Sequence, residues 1–146
     1  MTITEQKAAQ RKAGIAARRA LSDTERTHSN AALCARIMAL DCFKKAETIL
    51  LYAAFGGEAD LSTLAVEAAR QGKTLAYPVC GEGFSLTAAV PGPDGWEVGA
   101  YGIRTPILSR SVVLPPDKLD LVLVPCTAFD TACRRVGMGK GYYDRY

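Results

Sequence analysis

Two rhythms of apolar residues alternate along this 146-residue chain. Residues 4–20 consist mainly of Ala, Lys, Gln and Arg, side chains that favour a helix. A second helix is expected from Ser22-Asp-Thr-Glu25, where the serine can cap the first turn and the glutamate can reach back. It should run to about Leu40. Thr48–Ala54 is a continuous apolar run, long enough for a buried strand and too short for a helix. Gly56-Gly57 breaks it. Leu61, Leu64, Ala65 and Ala68 return to helical spacing across Leu61–Gln71, with Gly72 where a C-terminal cap belongs. Thr74–Val79 and Phe84–Val90 read as strands, followed by a turn at Pro91–Gly95. Leu119–Pro125 gives the clearest strand pattern, an apolar run entered by Asp120 and closed by proline. The last segment, Gly137–Tyr146, is a glycine loop that opens a helix.

Strands alternating with helices predict an α/β fold, a mostly parallel sheet flanked by helices. Ligands in such sheets gather at the carboxyl ends of the strands, so the loops after Phe55, Val79 and Pro125 are the places to search for chemistry. No repeat or linker divides the chain, and residues 1–146 read as one domain.

Composition narrows the class. Hydrophobic residues make up 49% and charged residues 23%, an ordinary globular balance rather than a disordered one. The longest apolar stretches are strand-sized, and no membrane span is expected. Cys34, Cys42, Cys80, Cys126 and Cys133 are odd in number, scattered, and include no CxxC pair. They read as free thiols in a reducing compartment, so a cytoplasmic location is expected.

The net charge is only +3, but it is unevenly spread. Lys7, Arg11, Lys12, Arg18, Arg19 and Arg26 crowd the first 28 residues, and Arg134, Arg135, Lys140 and Arg145 crowd the last 17. Two basic ends around a near-neutral middle suit a phosphate-bearing small ligand or a nucleic acid; solvated faces are the blander reading.

Gly137, Gly139 and Gly141 alternate around Met138 and Lys140. Such a loop can turn successive N–H groups towards an anion, with the following helix adding its dipole. Lys140 supplies a mobile charge for phosphate oxygens, and Asp144 can hold a hard cation that bridges them. The spacing is neither GxxxxGK[ST] nor GxGxxG. Taken alone, the loop is equally a tight surface turn.

The wider string is more specific. Asp120-Leu-Val-Leu-Val-Pro125, Ala128-Phe-Asp130 and Arg135-Val-Gly-Met-Gly-Lys-Gly-Tyr-Tyr-Asp144 together resemble the signature of the 5-formyltetrahydrofolate cyclo-ligases. Val136 replaces a leucine of that pattern, and Cys133 replaces a frequent glycine. Lys7 and Arg11 resemble the family's N-terminal Lys-x-x-x-Arg pair, and Glu58 matches its substrate-contacting glutamate. Gly102-Ile-Arg-Thr-Pro106 resembles its Gly-Ile-x-x-Pro segment.

The resemblance implies an ATP- and magnesium-dependent conversion of 5-formyltetrahydrofolate to 5,10-methenyltetrahydrofolate. It implies ATP contacts from Lys7, Arg11, Arg135, Val136, Gly137, Met138, Gly139, Lys140, Gly141, Tyr142 and Tyr143. Folate falls to Glu58 with Gly139, Lys140, Gly141 and Tyr142; Asp144 falls to magnesium; Lys140 and Arg135 are the expected catalytic residues. Related enzymes continue past the corresponding tyrosine with another strand region and a further acidic metal ligand, so the chain is expected to be a truncated member, weak or inactive as it stands. Two rival readings remain at this point. One is a homologue that binds folate or nucleotide without turnover. The other is a basic nucleic-acid-binding module, although small-molecule partners alone are expected.

Overall fold

The computed structural model describes residues 1–146. The chain opens with helices α1 (Ile3–Arg19) and α2 (Asp23–Ala39). Both begin with reciprocal caps: Glu5 N–H donates to Thr2 Oγ1 at 3.2 Å and Thr2 N–H to Glu5 Oε2 at 2.7 Å. The Ser22–Glu25 pair repeats this at 3.2 and 2.8 Å. Two otherwise unsatisfied donors are thereby used at each helix start. The Thr2 cap and a five-residue helix, α3 (Asp41–Lys45), were not anticipated. One turn is too short to show a period, yet α3 places Phe43 in the core, 1% exposed.

Then follow β1 (Thr48–Leu50), α4 (Ser62–Arg70), β2 (Thr74–Cys80), β3 (Leu86–Pro91), β4 (Trp96–Val98), β5 (Arg104–Pro106), β6 (Ser111–Leu114), β7 (Leu121–Val122), β8 (Ala128–Phe129), β9 (Arg135–Val136) and α5 (Tyr142–Arg145). The main sheet has the order β6-β3-β2-β1-β7. β2, β1 and β7 run parallel, the α/β core expected from the alternating pattern; β3 and β6 widen it antiparallel on one side. β4–β5 and β8–β9 are separate antiparallel pairs.

Alternation along β1 divides the core. Ile49 and Leu51 face α2, α3 and α4 through Cys34, Phe43, Leu64 and Ala68. Leu50 faces the other way, onto Ala76, Ala88, Val122 and the tyrosines Tyr142, Tyr143 and Tyr146. This period of two explains why the whole run is apolar: the strand is covered on both faces.

Asp120 anchors the junction of β1 and β7. Its Oδ2 accepts from the N–H groups of Glu47 and Thr48, both at 2.9 Å. Those donations hold its carboxyl below the usual aspartate range. A depressed folded-state pKa gives stability that is full above the unfolded value and is lost as pH falls through the folded one. Asp120→Ala should therefore lower the melting temperature by a few degrees near neutrality. The gap from wild type, followed by thermal melts across acid pH, should close as the wild-type carboxylate protonates.

Candidate active site

Because β2, β1 and β7 are parallel, their carboxyl ends lie on one side of the sheet. β1 leads into Phe55-Gly-Gly-Glu58, β2 ends at Cys80, and β7 leads through Pro125 to Cys126 and the β8–β9 pair. Helix α1 lies against β8 and β9. Its closest approach is at Gly14, where an added Cβ would stand 2.0 Å from the Thr127 carbonyl oxygen. Only glycine fits there without a backbone shift.

This packing brings the two basic ends of the chain together. Arg11 Nε donates to the Gly137 carbonyl at 2.7 Å. The same guanidinium lies 3.3 Å from where a Cβ on Gly139 would stand, and Gly139 has φ +96°. The positive φ favours glycine at that position, and an added side chain would press on the Arg11 guanidinium. Lys7 sits one turn before Arg11, exposed and without an ion pair. Lys140 is exposed, with Nζ 5.8 Å from the centre of the Phe84 ring. Phe84 also meets Tyr142 edge-on at 5.7 Å.

Arg135 and Asp144 form an ion pair, Nη2 to Oδ1 at 2.8 Å, across the loop between β9 and α5. Val136 pairs with Ala128, while Met138 is exposed. Tyr142 and Tyr143 pack against the sheet, so their rings help seat the loop. Burial pushes the Tyr143 hydroxyl upward, with the Cys80 and Glu58 charges adding to it. The helix after the loop has only four residues. The capacity for anions therefore rests on loop N–H groups and side-chain cations, and hardly on a helix dipole.

Glu58 is half-buried at the end of the β1 loop. Its Oε2 accepts from Phe55 N–H at 3.0 Å. Burial raises its pKa, opposed by the Phe55 N–H and the Arg18 charge. Tyr52 donates its hydroxyl to the Ala59 carbonyl at 2.9 Å, bracing the same loop. Burial, the largest cause, keeps the Cys126 thiol above its ordinary range, which suits packing better than nucleophilic chemistry. The Trp96 ring meets Tyr77 edge-on at 4.7 Å and carries the Arg104 guanidinium at 4.4 Å.

The sequence profile of the 5-formyltetrahydrofolate cyclo-ligase family matches residues 3–146. The chain belongs to that family.

Among cyclo-ligases, the Escherichia coli K12 5-formyltetrahydrofolate cyclo-ligase is 30% identical over 131 residues, 88% of this chain and 72% of that protein. The Haemophilus influenzae enzyme is 32% identical over 105 residues, 70% of this chain and 56% of its own. The solved Aquifex aeolicus 5,10-methenyltetrahydrofolate synthetase superposes with a TM-score of 0.81 at 35% identity, covering 95% of this chain and 70% of that one. The Mycoplasma pneumoniae synthetase has a TM-score of 0.76 at 23% identity, covering 96% and 76%, and supports the fold.

No group of three or more His, Cys, Asp or Glu side chains is placed to hold a metal on its own. Asp144 contributes a single exposed carboxylate, already engaged by Arg135. That fits an ion arriving with a phosphate ligand, since magnesium is commonly held by one or two carboxylates plus phosphates and water. No helix is long and apolar enough to cross a membrane. Three residues at this end of the sheet were not among the site residues expected from the sequence: Arg18, Arg26 and Phe84. Arg18 was discoverable, since 7, 11 and 18 share one helical face. Arg26 and Phe84 carry no comparable local signal.

Proposed function

We propose that this cyclo-ligase converts 5-formyltetrahydrofolate and ATP to 5,10-methenyltetrahydrofolate, ADP and phosphate. The formyl oxygen is a poor leaving group. Its attack on the γ-phosphorus forms an O–P bond and releases ADP. The neighbouring nitrogen then closes on the formyl carbon and loses its proton, and the C–O bond breaks as phosphate departs. The protein's task in such a transfer is mainly positioning and charge neutralisation.

The observation that supports this most is the Arg11–Gly137 contact, which joins the amino-terminal cations to the glycine loop. In this reading Lys7, Arg11 and Lys140 face the ATP phosphates with the N–H groups of Gly137, Met138, Gly139 and Gly141. Val136, Tyr142 and Tyr143 hold the loop against the nucleotide. Arg135 and Lys140 neutralise charge on the transferring group. Glu58 receives the N–H donors of the pterin, with Tyr142 and the Gly139–Gly141 turn on its other side. Magnesium bound to the ATP phosphates would supply further charge neutralisation, with Asp144 as its protein ligand once the Arg135 pair opens. The five free cysteines fit a reducing, cytoplasmic setting.

Calorimetry on two variants tests this division of labour. Lys140→Ala should weaken ATP binding by about 1.5–3 kcal/mol, the scale of a charge-assisted hydrogen bond. Glu58→Gln should weaken folate binding while ATP affinity stays within about twofold. Exchange of these two effects would reassign the residues.

A further inference from the structure

The loop that carries Glu58 is gripped from the side by α2. Arg26 Nη2 donates to the Arg18 carbonyl at 2.8 Å, and its Nη1 donates to the Gly57 carbonyl at 3.1 Å. One side chain thus joins three segments: the last turn of α1, the start of α2, and the residue immediately before Glu58. Arg18 closes on the same loop, its Cγ 3.8 Å from where a Cβ on Gly57 would stand. Arg18 Nε is buried without a protein acceptor, and the backbone carbonyl of Arg18 ties α1 into the junction through Arg26.

The chemistry of the link is specific. A guanidinium offers several donors at fixed angles and can serve two carbonyls from different segments at once. A lysine ammonium is a mobile point charge and would satisfy this geometry only in part. The Glu58 loop contains two consecutive glycines, Gly56 and Gly57, so it has little side-chain packing to fix it. Beyond the Arg26 bond, the loop is braced by the Phe55 N–H bond to the Glu58 carboxylate, the Glu58 N–H bond to the Phe55 carbonyl at 3.1 Å and the Tyr52 bond to Ala59.

We infer that Arg26 is a positioning residue for Glu58: by fixing the Gly57 carbonyl against α1, it sets where the Glu58 carboxylate meets the folate. The inference rests on the assignment of folate to Glu58. Arg26 touches neither substrate. It acts by holding the carboxylate in register with α1, which also carries Lys7 and Arg11. A displacement of about 1 Å at a positioned group is enough to cost large factors in turnover.

Steady-state kinetics on Arg26→Ala, Arg26→Lys, Glu58→Gln and the Arg26→Ala/Glu58→Gln double variant test it, with thermal melts to establish folding. Arg26→Ala should raise the folate KM about tenfold and leave the ATP KM within about twofold. Arg26→Lys should recover part of the loss, and it carries the same comparison if the alanine variant does not fold. In the Glu58→Gln background, Arg26→Ala should add less than about twofold, because two residues acting through one contact are not additive. Full additivity, or equal rises in both KM values, would overturn the inference. If Glu58→Gln raises the folate KM and Arg26→Ala in a folded protein does not, the positioning role alone falls. If Glu58→Gln leaves the folate KM unchanged, the assignment of folate to Glu58 falls and takes the inference with it.

Discussion

Gly14→Ala is expected to destabilise this protein, reversing the usual effect of that substitution inside a helix. On an isolated helix, alanine would be favoured by about 1 kcal/mol. At Gly14 the new methyl carbon would stand 2.0 Å from the Thr127 carbonyl oxygen and 2.9 Å from its carbon. Both are backbone atoms, so no rotamer change relieves the clash and α1 must lift from the β8–β9 pair. Overpacking of this kind costs about 1–3 kcal/mol, which outweighs the helical gain. The melting temperature should therefore fall. Arg11 lies one turn earlier on the same helix and holds the Gly137 carbonyl, so the lift should also loosen the glycine loop. ATP affinity should drop about tenfold or more, as expected when a binding group is displaced. Scanning calorimetry and ATP titration check both effects; a rise in melting temperature would show that α1 does not press on Thr127.

Arg135→Met is expected to damage catalysis far more than stability. The Arg135–Asp144 pair has one largely exposed partner, Asp144 at 77% side-chain exposure. Pairs of that kind contribute about 0–1 kcal/mol. The melting temperature should scarcely move. If Arg135 instead serves the transferring phosphoryl group, its loss removes charge stabilisation that is strongest in the transition state. Removal of one such donor costs about 10²–10³ in kcat, with KM little changed. A variant that melts several degrees lower and retains its kcat would make Arg135 a structural residue.

Much of the fold was legible because local chemistry and tertiary packing agree. The Ser22–Glu25 box starts α2 where the side chains say it should. The run from Ile49 to Leu51 is apolar at every position because Leu50 and its neighbours Ile49 and Leu51 are buried on opposite faces. The regular part of that strand is shorter than the apolar run, because ladder pairing ends where β1 leaves its neighbours to form the Glu58 loop. The glycine loop was legible from spacing, and the basic ends from charge. Their meeting was not, since it depends on Gly14, whose role lies in a contact with Thr127 far along the chain. The antiparallel placement of β3 and β6 was equally hidden, because a short strand's pattern does not state the direction of its partner. Arg26 looked like one more solvated helix charge. Its two carbonyl partners, on Arg18 and Gly57, become neighbours only when α1, α2 and the β1 loop are assembled.

The most direct test of the central claim is an absorbance assay for 5,10-methenyltetrahydrofolate, run on the 146-residue chain with 5-formyltetrahydrofolate, magnesium and either ATP or no nucleotide. The expected result is product that accumulates only when ATP is present, with one ADP formed for each ring closed. Product formation at the same rate without ATP, or none from a folded chain that binds both ligands, would contradict the account.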